Sequence, residues 1–327
     1  MIVEPTAQEV DHAAVALLRG ALVAFPTETV YGLGGDARND DAVRRIFAAK
    51  GRPADHPVIV HLAWPSDLQR WAREVPTGAA ALASAFWPGP LTLILPRAHG
   101  VSDVVTGGQD SVGLRIPAHP VAHALLTRFV DLGGDGVAAP SANRFGRISA
   151  TAATHVGEEF GREVELILDG GVCDHGIEST IVSFITGEGV LRRPGAISAA
   201  DLARVLGYAP LAGSPNAPRA SGTLASHYAP RTPSRLMPTE ELRRALETTH
   251  GASRTVAVLA HALRRPADFG GLWLHAPGDA AGYAHSLYAN LRRLDAETAR
   301  EIWIEAPPDD DSWTAVNDRL RRATHRA

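Results

Sequence analysis

Apolar and polar residues recur along this chain in two patterns, one typical of helices and one of short buried strands. Near the N-terminus, Thr6 and Glu9 have the spacing of a capping box, and apolar residues then recur at helical spacing as far as Gly20. A second helical pattern, residues 41–50, is followed by Gly51 in the position of a helix C-cap. Apolar runs predict strands at residues 21–25, 58–62, 91–95, 112–116, 137–139, 166–168, 179–184 and 190–193.

The same pattern divides the chain into three segments. Residues 207–233 are rich in Pro, Gly, Ser and Ala, and a loop of this length in a compact enzyme is more often an active-site lid than a tether. Beyond it, strands at 256–259 and 302–305 alternate with helical patterns, which predicts a smaller parallel sheet. We predict an α/β protein with a catalytic domain at 1–206, a linker or lid at 207–233 and a C-terminal α/β domain at 234–327.

Composition narrows the class of protein without identifying it. The 327 residues are 45% apolar and 21% charged, as in ordinary globular proteins, and the formal charge of −4 gives no general attraction to nucleic acid or lipid. A single cysteine, Cys173, excludes an internal disulfide and favours the reducing cytoplasm. No apolar run approaches the ~20 residues of a membrane span, and Glu4 and Asp11 are unlike a signal peptide. We expect a cytoplasmic protein that does not bind membranes.

The first candidate for chemistry is Lys50, because it is the one lysine among 32 basic residues. This position has a compact ammonium on a flexible stem where every other basic position has arginine. Such a group suits a phosphate oxygen that moves during a reaction, and Arg52 supplies a bidentate partner two residues later. Chance survival of one surface lysine is the alternative, and the neighbouring polar motifs argue against it.

Polar residues gather at the ends of predicted strands, where open α/β sheets bind ligands. Residues 26–34 carry two hydroxyls, a carboxylate, a phenol and glycines, which favours a site over an ordinary turn, although neither a dinucleotide fingerprint nor a P-loop fits. His61 ends a strand, where catalytic and structural roles are equally open. Arg115 lies inside an apolar strand and needs an anion, either a substrate carboxylate or an internal acid. His119 and His123 have metal-ligand spacing but no third ligand, so we predict no metal site there.

A second set of residues has the donors that bind phosphate. Small residues at a strand end allow close approach of the backbone, and Ser141, Asn143 and Ser149 follow with hydroxyl and amide groups. Ser179 adds a hydroxyl and Arg193 a guanidinium. Each motif is weak alone, but together they predict an arginine- and hydroxyl-rich cavity for a nucleoside triphosphate and a small acid.

These motifs, taken in chain order, resemble one family. They are Pro26-Thr27-Glu28-Thr29-Val30-Tyr31-Gly32-Leu33-Gly34, Lys50-Gly51-Arg52-Pro53, Trp87-Pro88-Gly89-Pro90-Leu91-Thr92, Ala139-Pro140-Ser141-Ala142-Asn143, Gly176-Ile177-Glu178-Ser179-Thr180 and Arg193-Pro194-Gly195. The chain resembles the L-threonylcarbamoyladenylate synthase family, and its C-terminal unit with His227-Tyr228-Ala229-Pro230 resembles the long, two-domain form. The resemblance covers essentially the whole chain. It implies a YrdC-like twisted mixed sheet with helices around a basic cavity, plus a small Rossmann-like α/β domain.

The resemblance also implies a reaction and a role for each matching residue. L-Threonine, bicarbonate and ATP would give threonylcarbamoyl-AMP and pyrophosphate, for N6-threonylcarbamoyladenosine formation at position 37 of tRNA. Lys50 and Arg52 would offset phosphate charge during catalysis. Threonine would be bound by Thr27, His61, Arg115, Ala139 and Ser179, with Arg115 on its carboxylate. ATP would be bound by Lys50, Arg52, Ser111, Ser141, Asn143, Ser149, Arg193 and Tyr228, the last delivered by the lid.

Cofactor and partners follow from the same resemblance. Mg2+ would enter with the ATP phosphates, with no protein-only metal site and no tightly bound organic cofactor. The product would pass to a tRNA threonylcarbamoyl-transferase, and direct tRNA binding would be weak or absent. Two rival functions are a carbamoyl-phosphate-dependent carbamoyltransferase of the same fold and an RNA-binding protein. The charge of −4 and the lack of interleaved basic and aromatic residues argue against the second.

Overall fold

The computed structural model describes residues 1–213, 219–248 and 255–325. Contacts divide the chain into two compact units. The first comprises Met1–Phe145 and Ser149–Thr223, and the second comprises Gly146–Ile148 and Leu224–Ala327. The division after Thr223 falls inside the segment predicted as linker or lid, of which residues 214–218 lie outside the described residues.

The first unit is built on a mixed sheet. Its strands are β1 (Ile2–Val3), β2 (Val23–Phe25), β3 (Gly32–Asp36), β4 (Ile59–His61), β5 (Leu91–Pro96), β6 (Ser111–Arg115), β7 (Val137–Ala138), β8 (Leu166–Leu168), β9 (Thr180–Ser183), β10 (Val190–Arg193) and β11 (Leu211–Ala212). Its helices are α1 (Ala7–Leu18), α2 (Asp40–Lys50), α3 (Leu68–Trp71), α4 (Thr77–Phe86), α5 (Asp103–Thr106), α6 (Pro120–Asp131), α7 (Ala153–Phe160) and α8 (Ala199–Leu206). Within residues 1–213, the strands follow the order β1-β8-β2-β3-β7-β4-β6-β5-β9-β10-β11, with parallel and antiparallel pairs. The predicted mixed sheet is confirmed.

Helix boundaries follow local capping chemistry, as the sequence predicted. The hydroxyl of Thr6 accepts the N–H of Glu9 (3.3 Å) at the start of α1. Gly51 ends α2 with φ of 62°, a left-handed conformation that glycine adopts without a Cβ penalty. Lys50 is consequently the last residue of α2, and Arg52 follows where the chain turns away from the helix.

The segment 26–34 departs from the predicted turn. Residues 26–31 turn, but Gly32–Asp36 form β3, which pairs antiparallel with β2. A Cβ at Gly34 would come within 2.8 Å of the Phe25 ring, so only glycine lets the two strands approach here. Hydrophobic patterning missed this strand because its glycines provide close approach and no apolar side chain.

The second unit is a smaller parallel sheet. Its strands are β12 (Ser234–Met237), β13 (Val256–Ala260), β14 (Trp273–His275) and β15 (Glu301–Glu305), and its helices are α9 (Thr239–Thr248), α10 (Ala280–Asp295) and α11 (Thr314–Thr324). The strand order is β12-β15-β13-β14, and each pair is parallel, which confirms the predicted arrangement. Gly146–Ile148 joins this unit, since the N–H of Ala229 donates to the carbonyl of Gly146 (2.9 Å).

Two observations bear on the expectations from composition. In the three described ranges, no helix has both the length and the apolar character needed to cross a membrane. Cys173 is buried and forms no disulfide. Burial raises the pKa of its thiol to about 12, so the thiolate is strongly disfavoured at neutral pH.

Candidate active site

One face of the large sheet brings together several of the predicted threonine-binding residues. The register places His61 of β4 beside Arg115 of β6 and beside Val137 of β7. Because side chains alternate between the two faces of a strand, His61 and Arg115 share a face with Ser111. Ala139 follows β7, and its N–H donates to the carbonyl of Ile59 (3.0 Å) on β4. Residues far apart in sequence therefore meet on adjacent strands.

The turn after β2 contributes hydroxyl groups to this face. The Thr27 hydroxyl donates to the carbonyl of Val30 (2.6 Å), and its oxygen accepts the N–H groups of Thr29 and Val30, both at 3.2 Å. The Thr29 hydroxyl lies 2.8 Å from that of Thr27 and accepts a hydrogen bond of 2.8 Å from Nη1 of Arg115. Thr27 thus caps its own turn, and the same turn also contacts the arginine of the predicted site.

Arg115 is paired with an acid of the protein itself. Its Nη2 contacts Oε1 of Glu28 at 2.6 Å, and both side chains are 5% exposed. Burial alone would raise the pKa of Glu28, but the charge and hydrogen bond of Arg115 hold it below its usual value. Nε of Arg115 also donates to the carbonyl of Gly89 (3.3 Å). A guanidinium has five N–H donors, so the contacts with Glu28, Thr29 and Gly89 leave it able to bind a carboxylate as well.

His61 is a neutral imidazole at physiological pH. Burial, and then the nearby charge of Arg115, lower its pKa to about 3, against the opposing effect of the Ile59 and Val137 carbonyls. Its ring packs edge-on against Phe25, with centroids 6.1 Å apart. Nδ1 is buried and has no hydrogen-bond partner among the described residues. A buried, unpartnered ring nitrogen is a feature expected of a ligand contact.

Lys50 brings two predicted ATP-binding residues together. Its Nζ donates to the carbonyl of Ser141 (2.5 Å) and to the carbonyl of Asn143, and the side chain is buried. Burial and the charge of Arg52 lower the pKa of Lys50 well below its usual value, while the charges of Glu159 and Glu178 act in the opposite direction. Lys50 is therefore not the exposed surface lysine that chance survival would suggest.

Arg52 and Arg193 converge on Ser221, a residue of the predicted lid that belongs to the first unit. Nη2 of Arg52 donates to the carbonyl of Pro57 (2.7 Å) and to the Ser221 hydroxyl (3.4 Å). Nη1 of Arg193 donates to the Ser221 carbonyl (2.9 Å). Two arginines predicted to bind phosphate thus contact the same short segment.

The structure also identifies two polar residues that we did not assign to the site. The Ser149 hydroxyl donates to Oε1 of Glu178 (2.5 Å), and the Thr92 hydroxyl lies 2.7 Å from that of Ser179. Thr92 is the one polar residue in an apolar strand, the same signal that drew attention to Arg115. Glu178 directly precedes Ser179 in its motif, and this position next to a predicted site residue could have identified it.

Ser111 and Tyr228 complete the predicted set, one in each unit. Ser111 is buried at the start of β6 and lines a cavity together with Thr92 and Ser221. Tyr228 belongs to the second unit and has φ of 61°, a left-handed conformation that is rare for a residue with a side chain. Its ring packs on that of Tyr288, with centroids 5.5 Å apart, inside that unit.

The histidines with metal-ligand spacing have local structural contacts. Nδ1 of His119 accepts the N–H of Val121 (3.2 Å) and caps α6. His123 packs edge-on against Trp64, with centroids 4.8 Å apart. Within the described residues, no three His, Cys, Asp or Glu side chains come together as metal ligands.

The first unit is an α/β domain with buried cationic and hydroxyl side chains on one face of its sheet, which are groups that suit small anionic ligands. A family model for Sua5, YciO and YrdC proteins, described as telomere recombination, matches residues 15–195. A second model, described as the C-terminal domain of threonylcarbamoyl-AMP synthase, matches residues 197–324. The chain belongs to the threonylcarbamoyl-AMP synthase family and has its long, two-domain form.

Individual relatives are similar over nearly the whole chain. The threonylcarbamoyl-AMP synthase of Pyrococcus abyssi is 37% identical over 319 residues, which cover 95% of this chain and 93% of the relative. That of Bacillus subtilis is 36% identical over 325 residues, covering 96% and 92%. The crystal structure of P. abyssi Sua5 complexed with L-threonine matches with a TM-score of 0.90 at 35% identity, covering 99% of this chain and 97% of that one.

Proposed function

We propose that this protein forms threonylcarbamoyl-AMP and pyrophosphate from L-threonine, bicarbonate and ATP. The observation that carries the proposal is the sheet face on which Arg115 and His61 lie side by side, within a family of threonylcarbamoyl-AMP synthases. A relative of the same two-domain form has been crystallised with L-threonine. The resemblance of the motifs and the chemistry of the site point to the same reaction.

Arg115 and His61 would bind threonine through different groups. The guanidinium of Arg115 would take the threonine carboxylate, while Glu28 and Thr29 hold the arginine in place. His61, which is neutral, would offer Nδ1 to a polar group of the amino acid without adding charge. Holding threonine in one orientation lowers the entropic cost of the reaction that follows.

The reaction then requires a neutral amine and a stabilised phosphate. The neutral threonine nitrogen forms a bond to the carbon of CO2 and loses a proton, or it displaces a C–O bond of bicarbonate with release of water, and either route gives a carbamate. A carbamate oxygen attacks the α-phosphorus of ATP, and the bond to the pyrophosphate oxygen breaks. Lys50, Arg52 and Arg193 would offset the charge that develops on the departing phosphates.

Burial of Lys50 makes this use of its charge effective. The ammonium is held by two carbonyl oxygens in an environment that disfavours its charge. Arriving phosphates would add negative charge beside Lys50 and raise its pKa again. A cation that is desolvated before the substrate binds interacts with the phosphate more strongly than one exposed to water.

Mg2+ is proposed to enter as the complex with ATP. The site offers hydroxyl and cationic groups, and its carboxylates Glu28 and Glu178 are hydrogen-bonded to Arg115 and Ser149. This donor set fits a metal held by phosphate oxygens and water, where it would neutralise the charge of the pyrophosphate. The side chains of this chain would bind the phosphates around it.

The product is proposed to be consumed by a separate tRNA threonylcarbamoyl-transferase in the cytoplasm. A carbamoyl-adenylate mixed anhydride is labile, so the site that forms it benefits from excluding water. The formal charge of −4 gives the chain no general attraction for tRNA. We therefore expect the transferase, and not this chain, to hold the tRNA.

Pyrophosphate release tests the proposal directly. The purified protein is given ATP and Mg2+ with or without bicarbonate and L-threonine, and with L-serine or carbamoyl phosphate as alternatives. We expect release that needs both bicarbonate and threonine, with threonylcarbamoyl-AMP identified by its mass. Release that depends on carbamoyl phosphate, or none at all, would contradict the proposal and favour the carbamoyltransferase or RNA-binding function.

A further inference from the structure

The hydroxyl of Ser179 is held by two buried neighbours. Nη2 of Arg193 donates to Oγ of Ser179 (3.1 Å), and Oγ1 of Thr92 lies 2.7 Å away. Nε of Arg193 also donates to the Ser179 carbonyl (3.0 Å). The exposed fractions of Thr92, Ser179 and Arg193 are 0%, 1% and 3%. The three side chains form a hydrogen-bonded cluster shielded from water.

Hydrogen-bond capacity limits how this cluster can be arranged. A hydroxyl donates one hydrogen bond and accepts two, whereas a guanidinium only donates. Arg193 therefore uses a lone pair of Ser179. If Thr92 donates to Ser179, it uses the second lone pair and leaves the Ser179 proton for another acceptor. If Ser179 donates to Thr92, no proton is left for a ligand.

The surroundings of Thr92 favour the first arrangement. Ser179 is the one hydrogen-bond partner of the Thr92 hydroxyl within the described residues. An anionic oxygen bound at this site would accept the Ser179 proton, and the Thr92 proton would then bond to Ser179. Both hydroxyl protons would have an acceptor only in this order.

Thr92 also lies on the ligand-facing side of the sheet. It precedes Leu93, which pairs with Leu114, so its position on β5 is beside Arg115 on β6. A Cβ added to Gly113 would lie 3.7 Å from the Thr92 methyl group. The Thr92 methyl therefore lies over Gly113 on this face, and a valine at position 92 would keep a methyl group there.

We propose that Thr92 is a positioning residue of this enzyme. Its hydroxyl donates to Ser179 and thereby directs the Ser179 proton towards a carboxylate-type oxygen of threonine or its carbamate. The inference rests on the proposed function, because that function places threonine against Ser179. It adds Thr92 to the site as a residue that affects threonine binding only through Ser179.

Three variants test this role in the full chain. Thr92→Val keeps the shape and removes the hydroxyl, whereas Thr92→Ser keeps the hydroxyl. Thr106→Val removes another buried threonine hydroxyl, one bonded to Arg97. For Thr92→Val we expect KM for L-threonine to rise about tenfold, the effect of one hydrogen bond to a charged group, with KM for ATP unchanged. Thr92→Ser and Thr106→Val should retain the wild-type KM for threonine.

A double-mutant cycle shows whether the effect passes through Ser179. In a Ser179→Ala background, Thr92→Val should change the threonine KM little further, because there is no hydroxyl left to orient. The proposal would be overturned if Thr92→Val raised the threonine KM equally in both backgrounds. It would also be overturned if Thr92→Val and Thr92→Ser raised that KM equally. A wild-type KM in Thr92→Val would overturn it as well. If Thr92→Val does not fold, Thr92→Ala takes its place in the cycle.

Failure of this inference is distinguishable from failure of the proposed function. If the wild-type protein releases pyrophosphate only with threonine and bicarbonate, the function stands whatever Thr92 does. If the wild-type protein shows no such reaction, direct binding of L-threonine by calorimetry replaces KM in the same comparison. An unchanged threonine affinity in Thr92→Val would then overturn the role of Thr92.

Discussion

The two units use a buried glutamate in different ways. In the first, Glu28 pairs with Arg115 at 2.6 Å on a sheet face that also carries His61. In the second, Glu305 ends β15 with an exposed fraction of 0%, and within residues 1–213, 219–248 and 255–325 it forms no ion pair. Its Oε2 accepts three successive backbone N–H groups at 2.9, 3.0 and 3.1 Å, and Oε1 accepts the Thr239 hydroxyl at 2.9 Å.

This difference shows that an α/β fold does not by itself imply a ligand-binding site. Parallel α/β sheets offer anion sites at the carboxyl ends of their strands, where backbone N–H groups converge. In the second unit Glu305 supplies the anion itself, so this group of donors is satisfied by the protein. In the first unit we propose that Lys50, Arg52 and Arg193 bind an anion supplied by the substrate. Architecture similar to that of a nucleotide-binding domain therefore does not indicate a ligand in the second unit.

Lys50→Arg, a substitution in the first unit, should have the largest effect of the variants proposed for the two units. The charge is retained, but a planar fork cannot occupy the place of an ammonium between the carbonyls of Ser141 and Asn143. We expect the rate of threonylcarbamoyl-AMP formation to fall by one to two orders of magnitude, about 1.4–2.8 kcal/mol of transition-state stabilisation. Pyrophosphate release under saturating substrates measures this.

The control for Lys50→Arg is Arg44→Lys, a change of opposite direction on the same helix. Arg44 is 57% exposed and pairs with Asp41 on the surface. Its replacement should leave turnover unchanged. Wild-type turnover in Lys50→Arg would show that the solitary lysine has no special role in the site.

Glu305→Ala should destabilise the second unit. The change removes the acceptor of three backbone N–H groups and one hydroxyl, and each buried donor without a partner costs about 1–3 kcal/mol. We expect the free energy of unfolding in urea to fall by about 3–5 kcal/mol, which is the upper end of the effect of a single substitution. Added formate should restore part of the loss by binding the same donors.

Glu301→Ala provides the matched control at the other end of β15. The Glu301 carboxylate accepts the indole N–H of Trp303 at 2.9 Å, and the residue is partly exposed. Its loss should cost about 1 kcal/mol, with no rescue by formate. Equal effects of the two substitutions would show that the N–H cluster around Glu305 contributes little.

The pH dependence of stability should reveal His61 as a buried neutral group. Its pKa is about 3 in the folded protein and about 6.5 in the unfolded chain, so between these values the unfolded state binds more protons. The free energy of unfolding should consequently fall as the pH is lowered through this window, by up to about 1.4 kcal/mol per pH unit for one proton. His61→Asn should make the fall shallower.

Urea unfolding between pH 4 and 7 measures this slope for each variant. The control is His99→Asn, because it replaces an exposed histidine that forms no ion pair within the described residues, and we expect it to keep the wild-type slope. Identical slopes in His61→Asn and the wild type would mean that the imidazole takes up a proton without unfolding.

The sequence alone determined many of the elements and singled out the residues that we propose for the site. Capping residues and apolar spacing defined α1 and α2, and the parallel arrangement of the second unit followed from alternating strands and helices. Lys50 stood out as the one lysine, and Arg115 as a charge inside an apolar strand. Such features are local, because propensity, periodicity and side-chain chemistry act over a few residues.

Only the tertiary structure decided how these groups are connected. Lys50 donates to carbonyls 91 and 93 residues away, and Thr92 meets Ser179 across 87 residues. The hydrophobic pattern could not predict β3. Its glycines are needed for close approach to the Phe25 ring, and they contribute no apolar side chains to a periodic pattern. The sequence also did not show whether Arg115 pairs with an internal acid. In the structure, Arg115 of β6 donates a hydrogen bond to Glu28 in the turn after β2. These contacts depend on strand order and register, which arise from packing of the whole chain.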